Sequence, residues 1–331
     1  MVSRIDRRHF GRGVSAAALA TGIFAPAVVR AQAFPTQDMH FICGFPPGSG
    51  ADLIVRFFAE KIRPLAGRPI IVENKPGALG NIATEYVVRS KPDGHTLYIT
   101  GATVLATNQH LLKNPTVNVT EALQMVGTIN RQPIMIAVSS NSPHQTIAQL
   151  TKAMKEKGDK ASYATSNPAA KVVGALYKER AGLQSVDVQY RSGAEFLNDL
   201  TSGNIDYAIP DNVFALAQAQ ARAGRMRILA VSTGQRLQAA PDYPTMAELG
   251  YPMDLVAWWG GFVPSATPRP IVHQLGKWLS QIVASDEGKA FLNNIASDPW
   301  VNTPDQAQAY FREQIEAWRE YVKIAKIEPQ G

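Results

Sequence analysis

Between residues 39 and 101 three short runs rich in β-formers, MHFIC, PIIVEN and HTLYIT, alternate with longer stretches whose apolar residues recur at helical spacing. Parallel neighbours in a sheet need long crossover connections, so a βαβαβ order of this kind implies a largely parallel sheet covered by helices. Helices are expected around 52–65, 81–90 and 104–112, with Pro92-Asp93-Gly94 as the turn into the third strand. After the polar stretch NPTVNVTEAL the alternation restarts with two extended runs, MVGTIN and PIMIAVS, and then helical and strand-like segments as far as RMRILAVST. Helices close the chain at 269–284, 286–296 and 304–325, the last opened by Thr303 ahead of Pro304. The expected fold is α/β with two lobes, each a largely parallel sheet flanked by helices, joined by extended hinge crossings. The expected boundaries are a leader at 1–33, the first part of lobe 1 at 34–128, lobe 2 at 129–230, and the second part of lobe 1 with the C-terminal helices at 231–331. A ligand of such a molecule sits between the lobes, at the carboxyl ends of the strands.

The leader reads as an export signal. Arg7-Arg8 precede the weakly apolar VSAAALATGIFAPAVV, and Ala31-Gln32-Ala33 has the form of a cleavage site, so removal after about Ala33 is expected. Paired arginines before a feebly hydrophobic core point to the twin-arginine route, with the general secretory route open. Five arginines against Asp6 give this segment +4, whereas the whole chain of 331 residues carries +6, leaving about +2 for the remainder. The basic balance therefore belongs mostly to the leader and does not argue for nucleic-acid binding. One cysteine excludes an internal disulfide, and Cys43, inside the first apolar run, is expected to be a buried and inert thiol. Six scattered histidines show no ligand-pair spacing, so neither a metal site nor any cofactor is expected.

The loop GFPPGSGAD, Gly44 to Asp52, lies between the first strand and the first helix. It lacks the G-x-x-x-x-G-K-[ST] of a phosphate-binding loop, and Pro47 stands where a G-x-S-x-G nucleophile elbow needs glycine. A helix amino terminus presents N–H groups without partners and a positive end of the helix dipole, and Gly48 and Gly50 permit close approach of a ligand. A carboxylate or phosphate can be held there without a cationic side chain. Asp52 is expected to cap the helix and brace the loop. On this chemistry alone an anion cradle and a bare strand-to-helix turn stand level.

Six stretches occur in order: FPPGSGAD, IIVENKPGALGNIATEYVVRSKPDGHTLYI, VQYRSGAEFLNDLTSGNIDYAIPDN, RMRILAVSTGQR, APDYPTMAELGYP and WWGGFVPSATPRPIV. Together they resemble the extracytoplasmic solute receptors of tripartite tricarboxylate transporters, the Bug-type receptors, over essentially the whole chain beyond the leader. The resemblance implies a type II-like, two-lobed periplasmic binding protein, monomeric and not an enzyme, that delivers a small organic carboxylate to membrane permease subunits. Presentation of ligand to a membrane sensor kinase, or an exported carboxylate-processing enzyme, are the alternatives; no nucleophile–base pair supports the second.

Residues implied for ligand binding are Phe45, Pro47, Gly48, Ser49, Gly50 and Asp52 in the first loop, and Thr103 and Leu105 after the third strand. The second lobe contributes Ser166, Asn167, Arg191 and Asp211. Three departures from the family pattern stand out: Ala51 replaces a hydroxyl residue, Leu105 replaces a histidine, and the Ser166-Asn167-Pro168 turn is two residues shorter, with Lys171 where a histidine is usual. They point to apolar-bodied mono- or dicarboxylates, aromatic ones included, ahead of hydroxylated tricarboxylates. Trp258 and Trp259 are expected in core packing, outside the site.

Overall fold

The computed structural model describes residues 34–210 and 224–329; the leader at 1–33, Asp211 with the adjacent NVFALAQAQARA run, and residues 330–331 lie outside them. The first βα unit illustrates how the pattern folds. β1 (Met39–Cys43) is buried almost throughout and runs into α1 (Gly50–Ala66). Ile54, Val55, Phe58, Ala59, Ile62 and Ala66 form the buried stripe of α1, whose helical spacing packs them against the sheet. Each fully buried Ile or Phe there contributes on the order of 1.5–3 kcal/mol of transfer free energy. The helix stops at Gly67, whose φ of 63° lets its N–H turn back to the Arg63 carbonyl at 3.0 Å. Cys43 is fully buried, and burial pushes its thiol up to about 11.

The chain continues through β2 (Ile70–Asn74), α2 (Asn81–Val88), β3 (Thr96–Gly101), α3 (Ala102–Leu111), α4 (Val119–Ala122) and β4 (Leu123–Pro133). It then crosses to β5 (Met135–Ser139), α5 (Ile147–Lys157), β6 (Ser162–Thr165), α6 (Pro168–Ala181), β7 (Val186–Gln189), α7 (Gly193–Ser202), β8 (Tyr207–Ile209) and β9 (Met226–Val231). It returns through β10 (Val256–Pro264), α8 (Arg269–Ala284), α9 (Asp286–Asn294), β11 (Asp298–Pro299) and α10 (Pro304–Ile324). Thr303 opens α10 with a full capping box, its hydroxyl accepting from Gln306 N and the Gln306 side chain accepting from Thr303 N.

Two α/β sheets result, in the orders β11-β4-β10-β3-β1-β2 and β7-β6-β8-β5-β9. Both are mixed rather than largely parallel. β1 pairs in parallel with β2 and β3, and β6 with β7 and β8, as the helical crossovers require. The strands on either side of the two crossings instead run antiparallel, β10 with β4 and β5 with β9. The reason is geometric: one crossing leads out of the first sheet and the other leads back, so the strands that flank them travel in opposite directions.

Ser232, fully buried, ties the crossings together. Its N–H donates to Ile134 O at 2.9 Å and its hydroxyl accepts from Ile134 N at 3.1 Å. The same hydroxyl donates to Leu255 O at 2.6 Å, while Leu255 N donates to Ser232 O at 3.0 Å.

Candidate functional site: a cleft faced by four helix starts

The GFPPGSGAD loop is held by its own aspartate. Ser49 caps α1, its Oγ accepting from Asp52 N at 3.2 Å and donating to Pro46 O at 2.7 Å. Asp52 is only 3% exposed; its Oδ2 accepts from Gly48 N at 2.8 Å and from Arg56 Nε at 2.9 Å, and its Oδ1 from Asn74 Nδ2 at 2.8 Å. Asn74 Nδ2 also reaches Phe45 O at 3.0 Å. Burial works against the charged form of Asp52, but the bonds from Arg56, Gly48 and Asn74 outweigh it and hold the carboxyl below its usual range. Capping thus falls to Ser49 and bracing to Asp52. Gly48 sits at φ +76°, a conformation that favours glycine.

The other walls are built on the same plan. α3 starts directly from β3, and Thr103 Oγ1 in its first turn accepts from Trp258 N at 3.1 Å, joining that helix start to β10. In the second sheet β6 leads to Asn167, whose Oδ1 caps α6 by accepting from Ala170 N at 2.9 Å, and Pro168 fills the first helical position. Beyond β7, Arg191 N donates to Glu195 Oε2 at 3.0 Å and the chain enters α7 at Gly193. Among the described residues four helix amino termini, two from each sheet, therefore follow strand carboxyl ends into one cleft of about 610 Å³.

Phe45, Pro47, Gly48, Ser49, Gly50, Asp52, Thr103, Ser166, Asn167 and Arg191 all line that cleft. Leu105 does not. α3 begins at Ala102, two residues before the expected start at 104, and Leu105, a turn into it, is 1% exposed within the hydrophobic core. Asp211 lies outside the described residues. Lys171 is half-buried on α6, away from the lining, and its charge acts on Asp187.

Several lining residues escaped sequence reasoning, among them Val104, Gln132, Ile134, Trp258 and Trp259. The tryptophan pair belongs to both core and cleft. Successive residues of β10 face opposite sides, so the Trp258 ring packs edge-on against Trp300 and Tyr310 while Trp259 lies 6.3 Å from Phe45. The sequence signal was the aromatic pair itself, beside Gly260-Gly261.

The lining is apolar over Phe45, Pro46, Pro47, Leu53, Ile54, Val104, Pro133, Ile134, Ala257 and the tryptophans. Among the described residues its charged side chains are Asp52 and Arg56, paired in the brace, and Arg191. Such a cleft suits an anion with an apolar body. Among the described residues no group of three or more His, Cys, Asp or Glu side chains is placed to hold a metal ion.

The family model described as "Tripartite tricarboxylate transporter family receptor" matches residues 54–327. The chain belongs to that family of receptors. The receptor is 27% identical over 309 residues to BugT of Bordetella pertussis, covering 91% of this chain and 93% of BugT. It superposes with a TM-score of 0.84 on R. palustris Rpa4515 solved with adipate, at 26% identity, over 90% of this chain and 100% of that one. With the periplasmic binding protein BugD the TM-score is 0.80 at 28% identity, over 90% and 100% of the two chains. The receptor thus shares its overall fold with these two solved structures. Among its described residues no helix is long and apolar enough to cross a membrane.

Proposed function

We propose that this chain is a periplasmic receptor that binds a small organic carboxylate in the cleft between its two sheets, closes on it, and delivers it to the membrane permease of a tripartite tricarboxylate transporter. The convergence of four helix amino termini, two from each sheet, carries the proposal. A carboxylate that touches both sheets favours the closed arrangement, since only there does it meet all of these termini. Arg191 adds positive potential, and among the described residues the one lining carboxylate, Asp52, is offset by its ion pair with Arg56 and its bonds from Gly48 and Asn74. The apolar walls favour mono- or dicarboxylates with an apolar or aromatic body, and the adipate bound to one relative supports this choice.

We take the lobes to divide at the two crossings, after β4 and after β9. The boundary expected at 128–129 would cut β4 (Leu123–Pro133), which pairs within the first sheet, and the one at 230–231 would cut the end of β9. Residues 1–33 are the cleaved export signal. The molecule works as a monomer, without catalysis or cofactor. The test is a thermal-shift screen of the purified protein against a carboxylate panel, followed by native mass spectrometry of co-purified ligand. Stabilisation by one or a few carboxylates is expected; no shift with any, or turnover of one that binds, overturns the proposal.

A further inference from the structure

We infer that Gln132 is a specificity-determining residue of this cleft, offering its side-chain Nε2–H to a second oxygen acceptor on the ligand. This rests on the receptor assignment above and adds to it the chemistry of the ligand's far end. Gln132 is 8% exposed, near the end of β4 where the chain crosses between sheets, and it lines the cleft beside Pro133, Ile134 and Ala257.

Its amide orientation is dictated by a relay. Trp259 N donates to Asn130 Oδ1 at 3.2 Å, which leaves Asn130 with its Nδ2 to offer. Asn130 and Gln132, two apart on one strand, share a face, and Asn130 Nδ2 donates to Gln132 Oε1 at 3.4 Å. Ser297 Oγ donates to the same oxygen at 3.3 Å. Asn130 presents a donor, so the carbonyl oxygen must face it and the Nε2 end must face elsewhere; Ser297 Oγ, which also reaches Ile295 O at 3.4 Å, is compatible with that orientation. Nε2 donates to no group among the described residues.

A donor aimed into an apolar stretch of wall discriminates strongly, because a ligand without a matching acceptor strips it of water and returns no bond. The ligand class follows: an organic acid whose apolar body carries a second oxygen acceptor, its first carboxylate being held at the helix starts.

Calorimetric titration of the purified receptor with the linear dicarboxylates from succinate to suberate, and with the monocarboxylates of matching length, tests the assignment. Gln132→Glu keeps the oxygen that Asn130 and Ser297 require and removes the donor; Gln132→Met removes both. The best diacid is expected to bind wild type about tenfold or more tighter than its monoacid. Both substitutions should weaken that diacid about tenfold or more, with the monoacid held within about twofold by Gln132→Met. Gln132→Glu also adds a charge that repels every probe, so it is read by the ratio of diacid to monoacid affinity, which carries the test should Gln132→Met fail to fold. Unchanged diacid affinity, equal weakening of diacid and monoacid, or no diacid preference in wild type overturns the role of Gln132 and leaves the receptor assignment standing. Failure of wild type to bind any of these probes overturns this inference, while the receptor assignment stands or falls on the wider carboxylate panel.

Discussion

Asp52 and Gly48 face each other across the start of α1, the Gly48 N–H donating to the Asp52 carboxylate at 2.8 Å while Arg56 and Asn74 hold the same carboxylate from its other sides. The one carboxylate of the cleft's described lining is thereby spent on shaping the loop, and the helix start is left to the ligand.

Removing that brace should weaken fold and binding together. Asp52→Ala leaves three donors without their shared acceptor and is expected to cost about 1–3 kcal/mol, read from the urea midpoint. The folded carboxyl titrates below its usual value. Its contribution is therefore complete above about pH 4, where the unfolded group is ionised, and is lost as pH falls through the lower folded value. Asp52→Asn should flatten that part of the stability–pH curve, and an unchanged acid limb would contradict the brace.

Gly48→Val tests the loop shape with little steric interference. A Cβ at Gly48 meets nothing within 4 Å, so the penalty comes from φ +76°, about 1–2 kcal/mol or somewhat more for a branched residue. The ligand-free protein should remain folded while its thermal shift with carboxylates disappears. A normal shift in this variant would show that the loop takes no part in binding.

Arg191 is exposed at the entry to α7, so Arg191→Gln should alter ligand-free stability by less than about 0.5 kcal/mol. Carboxylate affinity should drop, and the loss should shrink as salt rises, because an exposed cation acts through a screened field. Calorimetry at two salt concentrations measures this; equal affinities at low salt would remove Arg191 from the site.

Ser232→Ala addresses the crossings. It strips a fully buried hydroxyl from Ile134 N and Leu255 O and should destabilise by about 1–3 kcal/mol in equilibrium unfolding. The loss should also loosen the relation between the sheets, visible as a larger radius of gyration in small-angle scattering of the ligand-free protein. Stability within about 0.5 kcal/mol of wild type would show that water or a backbone shift replaces the hydroxyl.

Local pattern carried most of the elements. The buried stripe of α1, the Gly67 stop, the Thr303–Pro304 start and the extended runs at β4 and β5 all follow from neighbours within a few residues, where period and turn chemistry act. Leu105 shows the limit. Whether the helix starts at Ala102 or two residues later decides which side chains of its first turn face the cleft, and spacing alone does not resolve that shift.

The sequence by itself determined an α/β chain with a glycine-rich helix start suited to an anion, because these properties depend on periodicity and on the backbone freedom of single residues. Only the tertiary structure decided that the sheets are mixed, that four helix starts meet in one cleft, and that Trp259, Asn130 and Gln132 form a relay. Each of these depends on which strands lie side by side, and β4 meets β10 across more than a hundred intervening residues. That register is set by the packing of the whole chain, and no window of local sequence contains it.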